Sequence, residues 1–217
     1  MTVKYFERRS SRITMSATAL IGLLIMTAGC TPVGVVIGLG AGTGIAAYQE
    51  RGVDGVARDL GLTSRILDQY ARHDHTLVTG IGVDVYEGRA LLTGQVDTED
   101  KRADAVNLAW KVDGIADVIN EIHVTSDGGL LDTARDTWIS AQLETKLTFD
   151  EKILAINYSI ETVGGTVYLI GIAQNDEELA RVKNHARSID YVRHIVSHVR
   201  VKMPAALITE PTPGQGS

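Results

Sequence analysis

The chain has little of several residue types, and each shortage excludes a class of protein. Its 217 residues include a single cysteine, which excludes an internal disulfide framework and a zinc ribbon. The formal net charge is −6, so the chain lacks the positive excess of a general nucleic-acid binder. Only four prolines are present and 22% of residues are charged, which argues against a largely disordered chain. Aromatic residues make up 5%, so each of the two tryptophans calls for an explanation.

The first thirty residues have the layout of an export signal. Lys4 and three arginines form a basic start, and residues 13–28 form an uncharged, mostly apolar run that is short for a stable transmembrane helix. Small residues precede the only cysteine, Cys30, in an arrangement that resembles a bacterial lipobox. We expect residues 1–29 to be a signal peptide and Cys30 to be the lipidated first residue of the mature protein. The alternatives are an uncleaved membrane anchor and a plain signal peptide with a coincidental cysteine.

A glycine-rich apolar segment follows the cysteine, VGVVIGLGAGTGIAAY at residues 33–48. Its glycines superficially resemble a dinucleotide-binding turn, but Thr43 and Ile45 occupy the places where the third glycine is needed. The segment also follows Cys30 too closely to be part of a folded βαβ unit. We therefore expect residues 30–57 to be a tether at the membrane surface, and residues 204–217 to be a disordered tail.

The strongest internal signal is a repeat with an offset of 77 residues and no gap. The apolar positions keep their phase throughout, and the identical pairs include Asp59 with Asp136, Gly88 with Gly165, and Gly94 with Gly171. We predict two copies of one unit, at residues 58–126 and 132–203. Both Gly94 and Gly171 close an alternating apolar run, where a glycine indicates a close helix–sheet approach or a bulge.

Each copy has the same predicted order of elements, α-β-β-α-β. Helical spacing of apolar residues is followed by two alternating runs joined by a tight glycine turn, then by a capped second helix and a final strand. The predicted helices are 58–74, 98–112, 132–149 and 175–189, and the predicted final strands are 115–125 and 192–202. The fold class is therefore α+β, with two tandem domains, each a three-stranded mixed sheet with two helices on one face.

Several short motifs resemble those of a known family. A glycine closes the second strand in ALLTG and VYLIG, the first copy ends in VINEIHV, and the second copy begins with DTWI at residues 136–139. Together with the lipobox, these features resemble the dual BON-domain outer-membrane lipoproteins of the DolP type. The resemblance implies a non-enzymatic protein on the periplasmic face of the outer membrane, which binds anionic phospholipid and supports envelope integrity.

The two copies differ in charge, and this difference indicates where the second copy binds a partner. Residues 104–125 carry a net charge of −3, whereas the matching residues 181–202 carry +5. A tether beside a bilayer favours anionic lipid head groups as the partner. A solvated face balanced by nearby acidic residues is the alternative. Nucleic acid is not expected, because the chain has an export signal and lacks aromatic stacking runs.

Trp138 is the second difference between the copies, because it aligns with Gly61. A tryptophan at the edge of an apolar helical stripe suits a membrane interface, and packing against the sister domain is the alternative. We predict that Trp138 contacts lipid together with Lys183, Arg187 and Arg181, of which Lys183 and Arg187 share one helix face. The other tryptophan, Trp110, is expected to pack between the domains.

The remaining polar residues do not form a pattern typical of catalysis. The His73-Asp74-His75 segment is expected to be a solvated loop between helix and strand rather than a metal site or an acid–base pair. The sequence shows no Ser-His-Asp arrangement, P-loop or paired carboxylates. We expect no enzymatic activity, cofactor or metal. The alternative to lipid binding is a protein-interaction adaptor of an envelope assembly machine, with the basic face docking an acidic protein.

Overall fold

A computed structural model of the chain describes residues 49–125 and 133–203. The predicted signal peptide, Cys30, the tether up to residue 48 and the C-terminal tail lie outside these residues. Domain 1 contains α1 (Gly52–His73), α2 (His75–Gly80), β1 (Ile81–Tyr86), β2 (Arg89–Val96), α3 (Glu99–Trp110) and β3 (Asp117–Val124). Domain 2 contains α4 (Thr133–Thr148), a 3₁₀ turn (Ala155–Asn157), β4 (Tyr158–Val163), β5 (Thr166–Ala173), α5 (Asp176–Arg187) and β6 (His194–Val201).

Both sheets have the same topology, which confirms the predicted α+β fold of two mixed three-stranded sheets. The middle strand pairs antiparallel with the strand before it and parallel with the last strand. The register repeats as well, because Ile81 faces Gly94 in domain 1 and Tyr158 faces Gly171 in domain 2. These pairs are separated by the same 77 residues that relate the two copies in the sequence.

Three boundaries differ from the sequence predictions. The tether predicted to reach residue 57 is too long, because α1 begins at Gly52. The second strands do not end at the matched glycines but continue for two residues, to Val96 and Ala173. The predicted loop around Asp74 contains the start of α2 instead, since the Asp74 side chain accepts a hydrogen bond from the Thr76 N–H at 2.8 Å and caps that helix.

Gly94 and Gly171 are required by a close approach of backbone to backbone. Both have positive φ angles, +116° and +147°. A Cβ atom would lie 2.2 Å from the Gly80 carbonyl oxygen at the first position and 2.0 Å from the Asn157 carbonyl oxygen at the second. The neighbour is therefore the carbonyl that ends the turn before the first strand, rather than a helix packed across the sheet.

Each domain has its own core between its helices and one face of its sheet. The fully buried residues of the two cores correspond at the 77-residue offset: Leu62 with Ile139, Ile66 with Leu143, Tyr70 with Leu147, and Leu92 with Leu169. The helices of both domains lie on the outside as a result. Trp110, at the end of α3, is 50% exposed, so the prediction that it packs between the domains is wrong.

The two domains pack through the sheet faces that carry no helices. The apolar centre of this sheet interface consists of Tyr86, Leu91, Val163, Tyr168 and Ile170. Around it, His198 Nε2 lies 2.8 Å from Glu121 Oε1, two residues that occupy equivalent positions in the repeat. Contact between equivalent positions is the mark of a two-fold arrangement, here within one chain.

A buried aspartate holds the hairpin turn in each domain. Asp136, on α4, accepts hydrogen bonds from the backbone N–H groups of Gly164 at 2.7 Å and Gly165 at 2.9 Å. Its counterpart Asp59 accepts from the N–H groups at the matching positions of domain 1, at 2.8 and 3.0 Å. All four turn residues have positive φ angles, as a two-residue hairpin turn requires. The aspartates therefore fix each first helix to its hairpin.

Replacing Asp136 with alanine should lower the free energy of unfolding by about 3 kcal/mol, because the buried Gly165 N–H and the partly buried Gly164 N–H lose a charged acceptor. Denaturant unfolding of the variant measures this loss. Asp68→Ala is the matched control, since Asp68 is exposed and pairs only with Arg72 on the same helix face, an interaction of about 0.5 kcal/mol or less. Equal stability of Asp136→Ala and the wild type would contradict the role of the aspartate.

Two equivalent carboxyl groups also lie at the sheet interface, Asp84 on β1 and Glu161 on β4. Burial, together with the smaller effects of the charges of Asp84, Asp136 and Glu144, raises the pKa of Glu161 to about 7. Burial likewise raises the pKa of Asp84, although the Ser159 hydroxyl donates a hydrogen bond to its Oδ1 at 3.0 Å. The interface is therefore most stable when Glu161 carries a proton.

The stability of the domain pair should consequently fall as the pH rises from about 4.5 to about 7, since the folded protein binds this proton more tightly than the unfolded chain. Glu161→Gln should raise the melting temperature by roughly 2–4 °C at pH 8 and leave it unchanged at pH 4.5. Melting curves at both pH values measure the effect. Glu177→Gln, on the exposed first turn of α5, is the control, and an effect of Glu161→Gln that is independent of pH would contradict the assignment.

Candidate functional site

Helix α4 has an uncharged outer face. Its buried residues, which include Ile139, Leu143 and Leu147, face the sheet of domain 2. On the opposite side, residues spaced by three or four positions form one exposed stripe. The outer face of α4 consists of Ala134, Trp138, Ala141 and Thr145, together with Phe149, the first residue after the helix. An exposed helix face of this length without a charge is unusual for a surface that meets only water.

Hydrogen bonding within the helix makes the face less polar than its sequence indicates. The Thr145 hydroxyl donates to the Ala141 carbonyl oxygen at 2.8 Å. The hydroxyls of Thr137 and Thr148 make the same bond to the carbonyl four residues earlier, each at 2.7 Å. These threonines satisfy their donors internally and therefore need no water at that site.

Aromatic rings stand at both ends of the outer face of α4. Trp138 is 43% exposed and Phe149 is 81% exposed. Phe149 follows Trp138 by eleven positions, which is about three helical turns or roughly 16 Å along the axis. The matching face of domain 1 has Gly61 in place of the tryptophan and bears the ion pair between Asp68 and Arg72, at 2.8 Å. The uncharged aromatic face thus belongs to domain 2 alone.

Trp138 packs within its own domain, against Tyr191. The two ring centroids are 6.2 Å apart and the rings meet edge to face at 72°. The Arg135 guanidinium lies over the other ring of this pair, 4.8 Å from the Tyr191 centroid. The alternative prediction, that Trp138 packs against the sister domain, is wrong because α4 lies on the outside.

Sequence reasoning did not single out Tyr191, although the repeat contains the signal. Tyr191 aligns with Gly114, just as Trp138 aligns with Gly61. Two aromatic residues of domain 2 thus replace two glycines of domain 1, and the structure brings them into contact. Comparing the two copies for added aromatic residues, as well as for added charges, identifies both Trp138 and Tyr191.

The predicted basic residues of α5 lie in the middle of that helix and at its end. In the middle, Arg181 Nε donates to Asp150 Oδ2 at 3.2 Å, so an acidic partner offsets its charge. His185 Nε2 lies 2.7 Å from the same oxygen, and this contact, together with the Lys152 N–H and Arg181, lowers the pKa of Asp150 to about 2. Arg181 is thereby held beside Asp150, two residues beyond the end of α4.

Arg187, in contrast, is the last residue of α5 and is exposed, four residues before Tyr191. Its Nη1 donates to Asn184 Oδ1 at 2.9 Å, a contact that leaves its charge uncompensated. Lys183 lies one helical turn earlier on the same side and is half-buried. Of the predicted basic residues, Arg187 is therefore the one placed at the Trp138 end of the outer face of α4.

The segment before α1 is fastened to domain 2, at the opposite end of its sheet. The Glu50 N–H donates to Asn157 Oδ1 at 3.0 Å, and the Glu50 carboxylate accepts from Gln174 Nε2 at 2.9 Å and Lys202 Nζ at 3.0 Å. The bond from Lys202 lowers the pKa of Glu50. These three partners flank the start of β4 and the ends of β5 and β6, whereas Tyr191 lies before the start of β6.

Residues 49–125 and 133–203 show neither a metal site nor a membrane-spanning helix. No group of three or more His, Cys, Asp or Glu residues in these ranges is placed to hold a metal ion. Nor is any helix in the same ranges long and apolar enough to cross a membrane.

Known proteins resemble this chain over both domains. It is 43% identical over 129 residues to the uncharacterized protein in the gshII 5′ region of Anaplasma centrale, a match that covers 59% of this chain and 85% of the relative. It is 29% identical over 153 residues to the outer membrane lipoprotein DolP of Haemophilus influenzae, covering 70% and 78%. The osmotically-inducible protein Y of Escherichia coli is 25% identical over 146 residues, covering 66% and 73%.

The family model of the BON domain matches the chain twice, at residues 58–126 and 135–203. Each match contains one complete sheet and the second helix of its unit, and the two matches lie 77 residues apart, as the repeat does. The resemblance drawn from the sequence motifs is thereby confirmed, and the chain belongs to the BON-domain family, with two BON domains in tandem.

Proposed function

We propose that this protein is a non-enzymatic lipoprotein on the periplasmic face of the bacterial outer membrane, and that its second BON domain binds anionic phospholipid. The observation that carries the proposal is the uncharged outer face of α4, with an exposed ring at each end. Such a face suits a helix that lies in the plane of the interface between head groups and acyl chains. Tryptophan is enriched at that depth, where its ring meets both apolar and polar surroundings.

Charge provides the second contribution to binding. Arg187 and Arg193 are exposed in domain 2, within four residues of Tyr191, and each basic residue near an anionic surface contributes about 1 kcal/mol. The attraction acts within a Debye length of about 8 Å at physiological salt, so it brings the domain close to the surface before the rings enter it. Charge alone would leave the domain in the water beside the membrane. The uncharged face of α4 provides the short-range contact, because its rings can enter the interface.

The proposed outer-membrane location rests on the sequence of the amino terminus and on one similar protein. The basic start, apolar run and small residues before Cys30 are typical of a lipoprotein signal, and the similar protein DolP is an outer membrane lipoprotein. Acyl chains on Cys30 would anchor the protein, since each buried methylene contributes about 0.8 kcal/mol. Domain 2 would then contact the same envelope and support its integrity through that contact.

Residues 49–217, produced without the anchor, should float with vesicles that contain phosphatidylglycerol and stay unbound with phosphatidylcholine alone. Trp138→Glu should abolish flotation, because it replaces an interfacial ring with a negative charge that an anionic surface repels. The Lys183→Glu, Arg187→Glu double variant should weaken it, and so should added salt. Trp110→Glu is the matched control, since Trp110 is also half-exposed but belongs to domain 1. Flotation that is insensitive to salt and to both changes would favour the protein-adaptor function instead.

The anchor has a test of its own. Cys30→Ser should yield a precursor that no longer incorporates labelled palmitate in bacteria, because the thiol is the acylation site of a lipobox. Labelling is measured on the immunoprecipitated protein, with the wild type as control. Unchanged labelling of the variant would exclude Cys30 as the acylated residue.

A further inference from the structure

Tyr191 has a backbone conformation that a tyrosine rarely adopts. Its φ angle is +69°, and only Glu87 shares a positive φ among the non-glycine residues of the described ranges. Glu87 lies in a hairpin turn whose N–H groups Asp59 binds, but Tyr191 lies in the connection between α5 and β6. A bulky residue in the left-handed region is strained and persists only where its surroundings impose that conformation.

The fold imposes this conformation on both copies. In domain 2 the Arg193 N–H donates to the Gly165 carbonyl oxygen at 2.8 Å, and in domain 1 the Ala116 N–H donates to the Gly88 oxygen at the same distance. The connection before the last strand therefore packs against the hairpin turn in the same way in each domain. Domain 1 has Gly114 at the equivalent of Tyr191, with φ +101°, and avoids the strain.

Packing within the protein does not account for the tyrosine. Its side chain is 61% exposed, so it removes little apolar area from water. What the side chain does is complete a stack: its ring meets Trp138 edge to face, and the Arg135 guanidinium lies over it. Residues kept at a cost in stability, on a surface, are typical of binding sites.

We propose that Tyr191 is a third membrane-contacting ring of domain 2, and that Trp138, Tyr191 and Arg135 together form a head-group site for the phosphate of an anionic phospholipid. This inference rests on the proposed function and names a part of the site that the function alone does not. The two rings match the chemistry of the interfacial layer, and the stacked guanidinium is held at the level of the rings, where phosphate lies.

The decisive variant is Tyr191→Gly, in residues 49–217, which include every contact that the structure describes. Glycine accepts the left-handed conformation, so the melting temperature should stay within about 2 °C of the wild type or rise. Affinity for phosphatidylglycerol vesicles should nevertheless fall about fivefold to tenfold, because one of three interfacial rings is lost. Tyr191→Asn, which also tolerates this conformation, should behave in the same way. Trp110→Ala removes an equally exposed ring from domain 1 and should leave the affinity unchanged.

A second measurement reports on the position of residue 191 itself. In a Trp110→Phe, Trp138→Phe background, Tyr191→Trp introduces a single indole. Its emission should shift to shorter wavelengths with phosphatidylglycerol vesicles and be quenched by brominated lipid. Inorganic phosphate at matched ionic strength should cause no shift.

The outcomes separate the inference from the proposed function. Wild-type affinity in both Tyr191 variants, or an indole at 191 that brominated lipid does not quench, would overturn the role of Tyr191, while the loss of flotation in Trp138→Glu would still support lipid binding. A wild type that binds no vesicles would overturn both. A shift with inorganic phosphate alone would assign the stack to a soluble phosphate instead of a membrane.

Discussion

The bond between a buried aspartate and a hairpin turn is the constraint on which the rest of domain 2 depends. Asp136 lies in the first turns of α4 and holds the N–H groups of Gly164 and Gly165. This hairpin turn also fixes the connection that contains Tyr191, because the Arg193 N–H donates a hydrogen bond to the Gly165 carbonyl oxygen. Trp138 follows Asp136 by two residues on the same helix, so one carboxylate sets the distance between the two rings. Stability and the candidate site therefore share a single interaction.

The two sheets pack symmetrically, whereas the outer faces of the two domains differ in composition. Equivalent residues meet across the interface, as Glu121 and His198 do, and equivalent carboxyl groups at Asp84 and Glu161 oppose each other. Because both helical layers face outwards, each domain presents its first helix to the surroundings. Only the outer face of α4 has rings there, whereas α1 carries an ion pair. Under the proposed function, domain 2 would bind through this face and domain 1 would support it.

Sequence periodicity and the repeat predict the order of elements, the two sheets and the matched glycines, because these depend on local spacing. The sheet interface was not predicted, since the apolar run of β2 and β5 hides the fact that Leu91 and Tyr168 point away from the helices. The prediction for Trp110 was wrong because the sequence did not show that the sheets, rather than the helices, form the contact between the domains. The pairing of Arg181 with Asp150 joins residues 31 positions apart, and no pattern along the chain indicates it. The strain at Tyr191 is a property of φ, which only the comparison with Gly114 suggests.

Because Glu50 is bound to domain 2, the proposed tether before it needs a minimum length to let the rings reach the membrane. Glu50 is bound at one end of the second sheet and Tyr191 lies at the other, separated by about the 25 Å that the eight residues of β6 span. In the proposed lipoprotein, nineteen steps of chain join Cys30 to Gln49 and could span at most roughly 65 Å, which exceeds the length of the domain. An acylated Cys30 and the rings could then meet the same bilayer, and the length of the tether would set the effective concentration of the rings at its surface. Shortened to fewer than about seven residues, it could no longer span the domain, and the anchored protein would stand on its tethered end with the rings pointing away from the lipid.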